Sequence, residues 1–256
     1  MIISASRRTD IPAFYSTWFF NRLKEGFVCV RNPMNPKQVS RIELSKDTID
    51  CIVFWTKNPL EMLPKLDLLK DYEFYFQYTL NPYGNDIEVN LPPFEQRLQT
   101  FISLAAKIGE DRVIWRYDPI IITREIDAQF HIARFDEMAK ILKDYTSTVV
   151  ISILDNYQKI KRRLQSIGVR DISAAEVELI ASSFKNIADK YNLNITSCAE
   201  DIDLRPYGIM PGKCIDDQLI SKLLGQEIKI PKDKNQRAIC GCVESIDIGA
   251  YNTCLN

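Results

Sequence analysis

Cys51-Ile52-Val53-Phe54-Trp55-Thr56-Lys57-Asn58-Pro59 is a short apolar run that stops abruptly on polar residues and a proline. A run of this length is too short for a helix. It reads as a strand over 51–55 with a polar tail leaving its C-terminal end. The same unit recurs along the chain. Strands are expected at 1–5, 27–31, 72–79, 112–115, 148–153 and 193–197, with an eighth element in 206–214 and a short hairpin arm at 39–44. Between them lie amphipathic stretches expected as helices at 12–24, 60–69, 94–108, 127–143, 157–167 and 174–191. Strands alternating with helices imply a parallel sheet. Seven or eight such units point to an α/β fold of the TIM type, a (β/α)8-like barrel, with an open doubly wound sheet as the runner-up. The first βα turn, Ser4-Ala5-Ser6-Arg7-Arg8-Thr9, lacks the glycine-rich loop of a dinucleotide-binding unit.

The chain has 256 residues, 46% hydrophobic and 26% charged, with a formal net charge of −1. That composition fits one globular domain over 1–256, with 206–256 as a cysteine-bearing C-terminal loop extension. The charge gives no global argument for nucleic acid or an anionic membrane. No uncharged apolar stretch approaches the ~18 residues of a membrane span, and the N-terminus lacks the order of a signal peptide, so a cytoplasmic location is expected. The single histidine, His131, lies on an expected helix and reads as a helix-surface or helix-packing residue. One histidine excludes multi-histidine zinc hydrolase sites and disfavours a Ser-His-Asp triad.

In a barrel the C-terminal strand ends form the active site. Here those ends carry Arg7, Arg8 and Asp10; Arg31 and Asn32; Thr56, Lys57 and Asn58; Gln77, Thr79 and Asn81; Arg116 and Asp118; Asp155; and Cys198 and Glu200. Several precede proline, which fixes the direction in which the polar side chain leaves. Arg7, Arg8, Arg31, Lys57, Asn58 and Arg116 suit the carboxylate or phosphate of a small anionic ligand. They would equally fit a buried network with Asp10, Asp118 and Glu200. Those three acids are the candidates for proton transfer or for orienting the cations. Trp55, Tyr78 and Tyr117 lie near the same ends, where they would stack on a ligand or join the core.

Seven cysteines clustered late in a soluble chain favour metal ligation or free thiols over disulfides. Cys29 and Cys51 lie in apolar strands and read as buried small hydrophobes. Cys198, Cys214, Cys240 and Cys242 would make a four-thiolate set for a zinc ion or an iron–sulfur cluster. Gly212, in Met210-Pro211-Gly212-Lys213, would let the backbone approach a cofactor closely.

The chain resembles a bacterial family catalogued as domain-of-unknown-function family 1848. The resemblance spans essentially the whole chain. It rests on Ile2-Ile3-Ser4-Ala5-Ser6-Arg7-Arg8-Thr9-Asp10-Ile11-Pro12, Val30-Arg31-Asn32-Pro33, Val53-Phe54-Trp55-Thr56-Lys57-Asn58-Pro59, Arg116-Tyr117-Asp118-Pro119 and the tail Cys240-Gly241-Cys242 through Asp247-Ile248-Gly249 and Tyr251-Asn252-Thr253-Cys254. The tail is similar to the Cys-x3-Cys-x2-Cys motif of radical S-adenosylmethionine enzymes. In that motif three thiolates hold a 4Fe–4S cluster and the open iron takes the amino and carboxylate groups of S-adenosylmethionine. Cys254 matches the first cysteine, and the other two would fall beyond Asn256, so the chain is expected to be truncated within the motif. The resemblance thus implies an iron–sulfur enzyme of unknown reaction on an anionic substrate. A zinc-stabilised barrel and a non-catalytic binding module are the alternatives.

Overall fold

The computed structural model describes residues 1–154, 164 and 166–254. Among the described residues, ten strands form two sheets. The main sheet contains β1 (Ile2–Ser4), β4 (Cys51–Thr56), β5 (Phe74–Thr79), β6 (Val113–Ile120), β7 (Thr148–Ile153), β8 (Asn194–Ser197), β9 (Met210–Pro211) and β10 (Ile246–Asp247). Their order is β10-β1-β4-β5-β6-β7-β8-β9, and every pairing is parallel. The edge strands β9 and β10 make no strand pairing with each other. The segments beyond them approach at one backbone hydrogen bond, from Val243 N to Ile215 O at 3.2 Å.

Alternation along the strands explains both faces of this sheet. Ile52 and Phe54, Phe74, Phe76 and Tyr78, Val113, Trp115 and Tyr117, and Val149 and Ile151 point to one face, where they join the larger core. The helices cover that face: α3 (Phe94–Ile108), α4 (Ala128–Leu142) and α5 (Ala174–Lys190). Phe135 of α4 and Phe184 of α5 stack at 3.9 Å between centroids, and Trp115 stacks on Phe135 at 5.0 Å. The residues between, Cys51, Val53, Tyr75, Ile114 and Val150, point to the other face. There they pack on Cys214, Ile215, Ile220, Cys242 and Val243. The C-terminal segment, including α6 (Asp217–Leu224), therefore fills the second face of the sheet.

The expected elements are present with several differences. The helix expected over 12–24 is two helices, α1 (Ile11–Phe14) and α2 (Ser16–Glu25), joined at Tyr15. The strand at Phe27–Arg31, β2, pairs antiparallel with β3 (Val39–Glu43) in a separate two-stranded sheet. Only one residue of β2, Val28, is fully buried, so this ribbon has no place between the covered faces of the main sheet. β1 instead pairs directly with β4, and its other edge is taken by β10, too short to leave a pattern in sequence. Strand β6 runs through Tyr117-Asp118-Pro119 to Ile120, with a register shift between Tyr117 and Ile120, where a turn was expected. The helix expected over 157–167 lies outside the described residues, apart from its last turn, and so does Asp155.

His131 is fully buried between α4 and the end of β6. Its Nε2 lies 2.9 Å from Ile121 O and its Nδ1 lies 2.8 Å from Tyr117 Oη. The carbonyl can only accept, so Nε2 carries the proton and Nδ1 accepts from the tyrosine. Burial outweighs that carbonyl contact and holds the imidazole pKa below its ordinary value. The neutral ring is thus favoured by folding. Its contribution to stability is full above the unfolded pKa of ~6.5 and is lost as pH falls towards the folded pKa, by up to ~1.4 kcal/mol per pH unit. Urea unfolding at pH 7.5 and 5.5 of the wild type and His131→Gln will show this loss in the wild type alone. An equal loss in both would assign it to other groups.

Candidate functional site

Of the four thiols expected to form one set, Cys198 and Cys214 touch directly and Cys242 packs on the Cys214 backbone. Cys198 directly follows β8, Cys214 lies three residues after β9, and Cys240 and Cys242 lie on the approach to β10. The Sγ atoms of Cys198 and Cys214 are 3.2 Å apart. Cys242 Sγ accepts from the backbone N–H groups of Cys214 at 3.3 Å and Ile215 at 3.4 Å. Cys240 is half-buried and packs, like Cys198, against the inner-face cluster that contains Cys214 and Cys242. Among the described residues, no group of three or more His, Cys, Asp or Glu side chains is arranged as a shell that could hold a metal ion.

Cys214 is pinned from three sides. Tyr75 Oη and Gln77 Nε2, both from β5, donate to its carbonyl at 2.6 and 3.1 Å. Arg116 Nη1, from β6, donates to its sulfur at 2.9 Å and to Gln77 Oε1 at 3.2 Å. The guanidinium is nearly fully buried, and its Nε lies 3.0 Å from Asp118 Oδ2. The same oxygen also accepts from Nη2, and the other carboxylate oxygen of Asp118 accepts from Ser152 Oγ. Burial works against the ionised Asp118, but Arg116 and Ser152 outweigh it and hold its pKa below the usual carboxylate range. Arg116 and Asp118 therefore make an ion pair beneath the thiols, not an open cation and a free general acid.

The thiols differ in proton affinity. The contact with Cys214 and the Ile215 N–H lower the pKa of Cys242 against the effect of burial. At Cys214 the contact with Cys198 acts downward, yet the contact with Cys242 and burial leave the value at about 11. Cys198 is pushed up by its contact with Cys214 and by burial. Cys242 is therefore the thiol nearest to a thiolate. Cys51 is a buried hydrophobe as expected, its pKa raised to about 12 chiefly by burial. Cys29, expected to be buried, is exposed on the outward face of β2. Gly212 is a close-approach glycine, but its neighbour is β8: a Cβ there would lie 2.5 Å from Thr196 Oγ1.

The other expected site residues divide into three groups. Arg7 and Arg8 are half-buried after β1, loosely paired with Asp233 at 3.6 Å and Asp247 at 3.7 Å, and lie over the rings of Trp55 and Tyr251. Ser6 Oγ beside them is buried with no hydrogen-bond partner among the described residues. Asp10, Asn58 and Glu200 serve the backbone. Asp10 accepts from Ala13 N at the start of α1 and from Lys57 N after β4, at 3.0 and 2.9 Å. Asn58 forms a turn to Leu60 N, and Glu200 accepts from Ile153 N at 2.9 Å. Arg31 stands apart, exposed on the two-stranded ribbon. Cys254 is held at the β1 end through its neighbour Thr253, whose Oγ1 lies 2.8 Å from Thr9 Oγ1, away from the Cys198–Cys214 contact. Sequence reading missed Glu88 and Arg97, a buried ion pair at 2.9 Å that Lys57 joins at 3.0 Å. They lie in a loop and on a helix, where nothing in their spacing marks them as partners.

Replacing Asp118 by Asn leaves Arg116 a buried cation without its counter-charge. A loss of about 3–5 kcal/mol at pH 7 is expected in equilibrium urea unfolding. Because folding lowers the pKa of Asp118, its contribution is full above the unfolded value of ~3.9 and disappears as pH falls through the folded value. The difference between wild type and variant should therefore shrink below pH 4. A variant as stable as the wild type at pH 7 would contradict the pairing.

Comparison with known proteins gives a family and no activity. A family model described as "Domain of unknown function (DUF1848)" matches residues 2–256. No curated protein matches the chain. Among solved structures, the chain is similar to a crystal structure described as "a putative alpha-L-fucosidase from Bacteroides thetaiotaomicron", with 12% identity over 88% of this chain and 84% of that one. The TM-score is 0.31, and at that distance the likeness carries no argument about function. Among the described residues no helix is long and apolar enough to cross a membrane. With essentially its whole length matched, the chain belongs to the DUF1848 family.

Proposed function

We propose that this chain is a barrel-type enzyme whose thiolate-held metal centre lies beside a site for a small anionic substrate. One observation supports the reading: Cys198 and Cys214 touch, Cys242 docks on the Cys214 backbone and Cys240 packs against the same cluster, on the inner face of the sheet and next to a buried arginine. Scattered thiols would have removed it. Cys198, Cys214, Cys240 and Cys242 supply the soft donor set of a zinc ion or an iron–sulfur cluster. The N–H groups on Cys242 and the guanidinium on Cys214 favour thiolates, as such a centre requires. Ligation would spread the sulfurs: four around one ion at ~2.3 Å stand ~3.8 Å apart, against 3.2 Å for Cys198 and Cys214.

Two kinds of centre follow from two observations. The compact spacing of the thiols favours a single zinc ion. The likeness of the tail to the radical S-adenosylmethionine motif favours a 4Fe–4S cluster, with Cys254 outside the four-thiol set. Arg7, Arg8 and the orphaned Ser6 hydroxyl provide donors for an anion at the β1 end, including the carboxylate of S-adenosylmethionine. Arg116 and Asp118 hold Cys214 in place beneath it. Asp10 and Glu200, with backbone partners, hold the strand ends rather than move protons.

Elemental analysis and the visible spectrum of anaerobically purified protein test this reading. About one zinc per chain, or a brown protein with iron and sulfide, is expected, with metal lost from Cys214→Ser and Cys242→Ser. A colourless wild type without zinc or iron after reconstitution would sink it.

A further inference from the structure

Cys198 and Cys214 stand closer together than a shared metal ion would hold them. Their Sγ atoms are 3.2 Å apart, against ~3.8 Å for two thiolates on one zinc ion. The ~2.05 Å of a disulfide bond is a closure of only about 1.2 Å away. The backbone suits that closure. β8 and β9 pair in parallel, Thr196 with Met210 and Ser197 with Pro211, and Gly212 N then donates to Ser197 O at 2.7 Å. The two cysteines therefore leave neighbouring strands, whose ~4.8 Å spacing matches the Cα separation of a disulfide. Cys242 is placed differently. Its sulfur accepts from the N–H groups of Cys214 and Ile215, and a bond to Cys214 Sγ would draw it off those donors.

We propose that Cys198 and Cys214 are a redox pair, oxidised by hydrogen peroxide to a disulfide that takes two of the four ligands from the thiolate centre. Cys198 is half-buried and Cys214 buried, so the oxidant meets Cys198 first. The Cys198 sulfur attacks one peroxide oxygen, the O–O bond breaks, and a sulfenic acid forms as water leaves. Cys214 then attacks Cys198 Sγ. The S–O bond breaks, and the hydroxide leaves as a second water with the Cys214 proton. Two thiols and one peroxide thus give one disulfide and two waters. Arg116 Nη1, 2.9 Å from Cys214 Sγ, favours the negative charge on the attacking sulfur. The pairing stands on the geometry of the two thiols. Its effect on a metal rests on the reading of the four cysteines as one centre.

The test is peptide mapping by mass spectrometry. The full chain, reduced and then treated with hydrogen peroxide, is blocked with N-ethylmaleimide and digested without reduction. Two of the seven cysteines should escape blocking, and their peptides should run as one species joined through Cys198 and Cys214. Dithiothreitol should restore both thiols. Cys198→Ser and Cys214→Ser should each abolish the joined species, and Cys29→Ser, on the exposed face of the ribbon, should keep it. Cys198 and Cys214 both blocked after peroxide, or Cys214 joined to Cys242 instead, would overturn the inference. Metal is measured on the same preparation before and after peroxide, and its release should follow the joined species. Failure to pair in a chain stripped of its metal overturns the redox pair alone. Pairing in a chain that binds no metal upholds it while the thiolate centre falls. Metal retained after pairing would overturn the coupling between them.

Discussion

Arg116 is the group on which the inner half of this molecule turns. A guanidinium cannot shed its proton in a protein, so burying it obliges the fold to surround it with acceptors. Asp118 supplies the charge from the same strand, two residues on and therefore on the same face. Gln77 on the neighbouring strand supplies a carbonyl, and Cys214 supplies a sulfur. The last of these is the consequential one. It ties a segment far along the chain to the middle of the sheet, at the point where that segment must cross the inner face.

Once Cys214 is fixed, much of the C-terminal segment is fixed with it. Tyr75 and Gln77 hold its carbonyl, and Tyr75 Oη also accepts from Asp216 N at 3.2 Å, just before α6 begins. Cys242 then docks its sulfur on the N–H groups of Cys214 and Ile215, and Val243 N reaches Ile215 O. That brings the chain back to place β10 beside β1. A tyrosine and a glutamine on a parallel strand would be costly without partners. Here they are the anchors of the segment that covers them, which is why β5 tolerates them amid Phe74, Phe76 and Tyr78.

The parts of this arrangement that were legible in the sequence are those governed by local periodicity. Residues 27–31, 94–108 and 148–153 read correctly as a strand, a helix and a strand because every residue contributes to one pattern. The strand read at 51–55 is present as β4 for the same reason, with Ile52 and Phe54 facing the helices and Cys51 and Val53 the C-terminal segment. What escaped was set at long range. β10 is two residues long and exists because β1 offers it an edge. β2 has a good strand pattern, yet its exposed residues exclude it from a sheet covered on both sides. At the site, residue types marked side chains whose partners the sequence did not reveal. Asp10 and Glu200 are acids at strand ends, but each spends an oxygen on a backbone N–H, a pairing invisible until the chain is folded.

The cations show most clearly why charge at strand ends does not by itself define a binding site. Arg116 is consumed internally, Arg31 is displaced onto the ribbon, and Arg7 and Arg8 lie loosely against Asp233 and Asp247. Lys57 shares its carboxylate, because Glu88 also holds Arg97 in the interior. Which strand-end charges are spent inside the fold is set by partners far away in sequence, and a buried charge must find such a partner, so spacing alone cannot sort them.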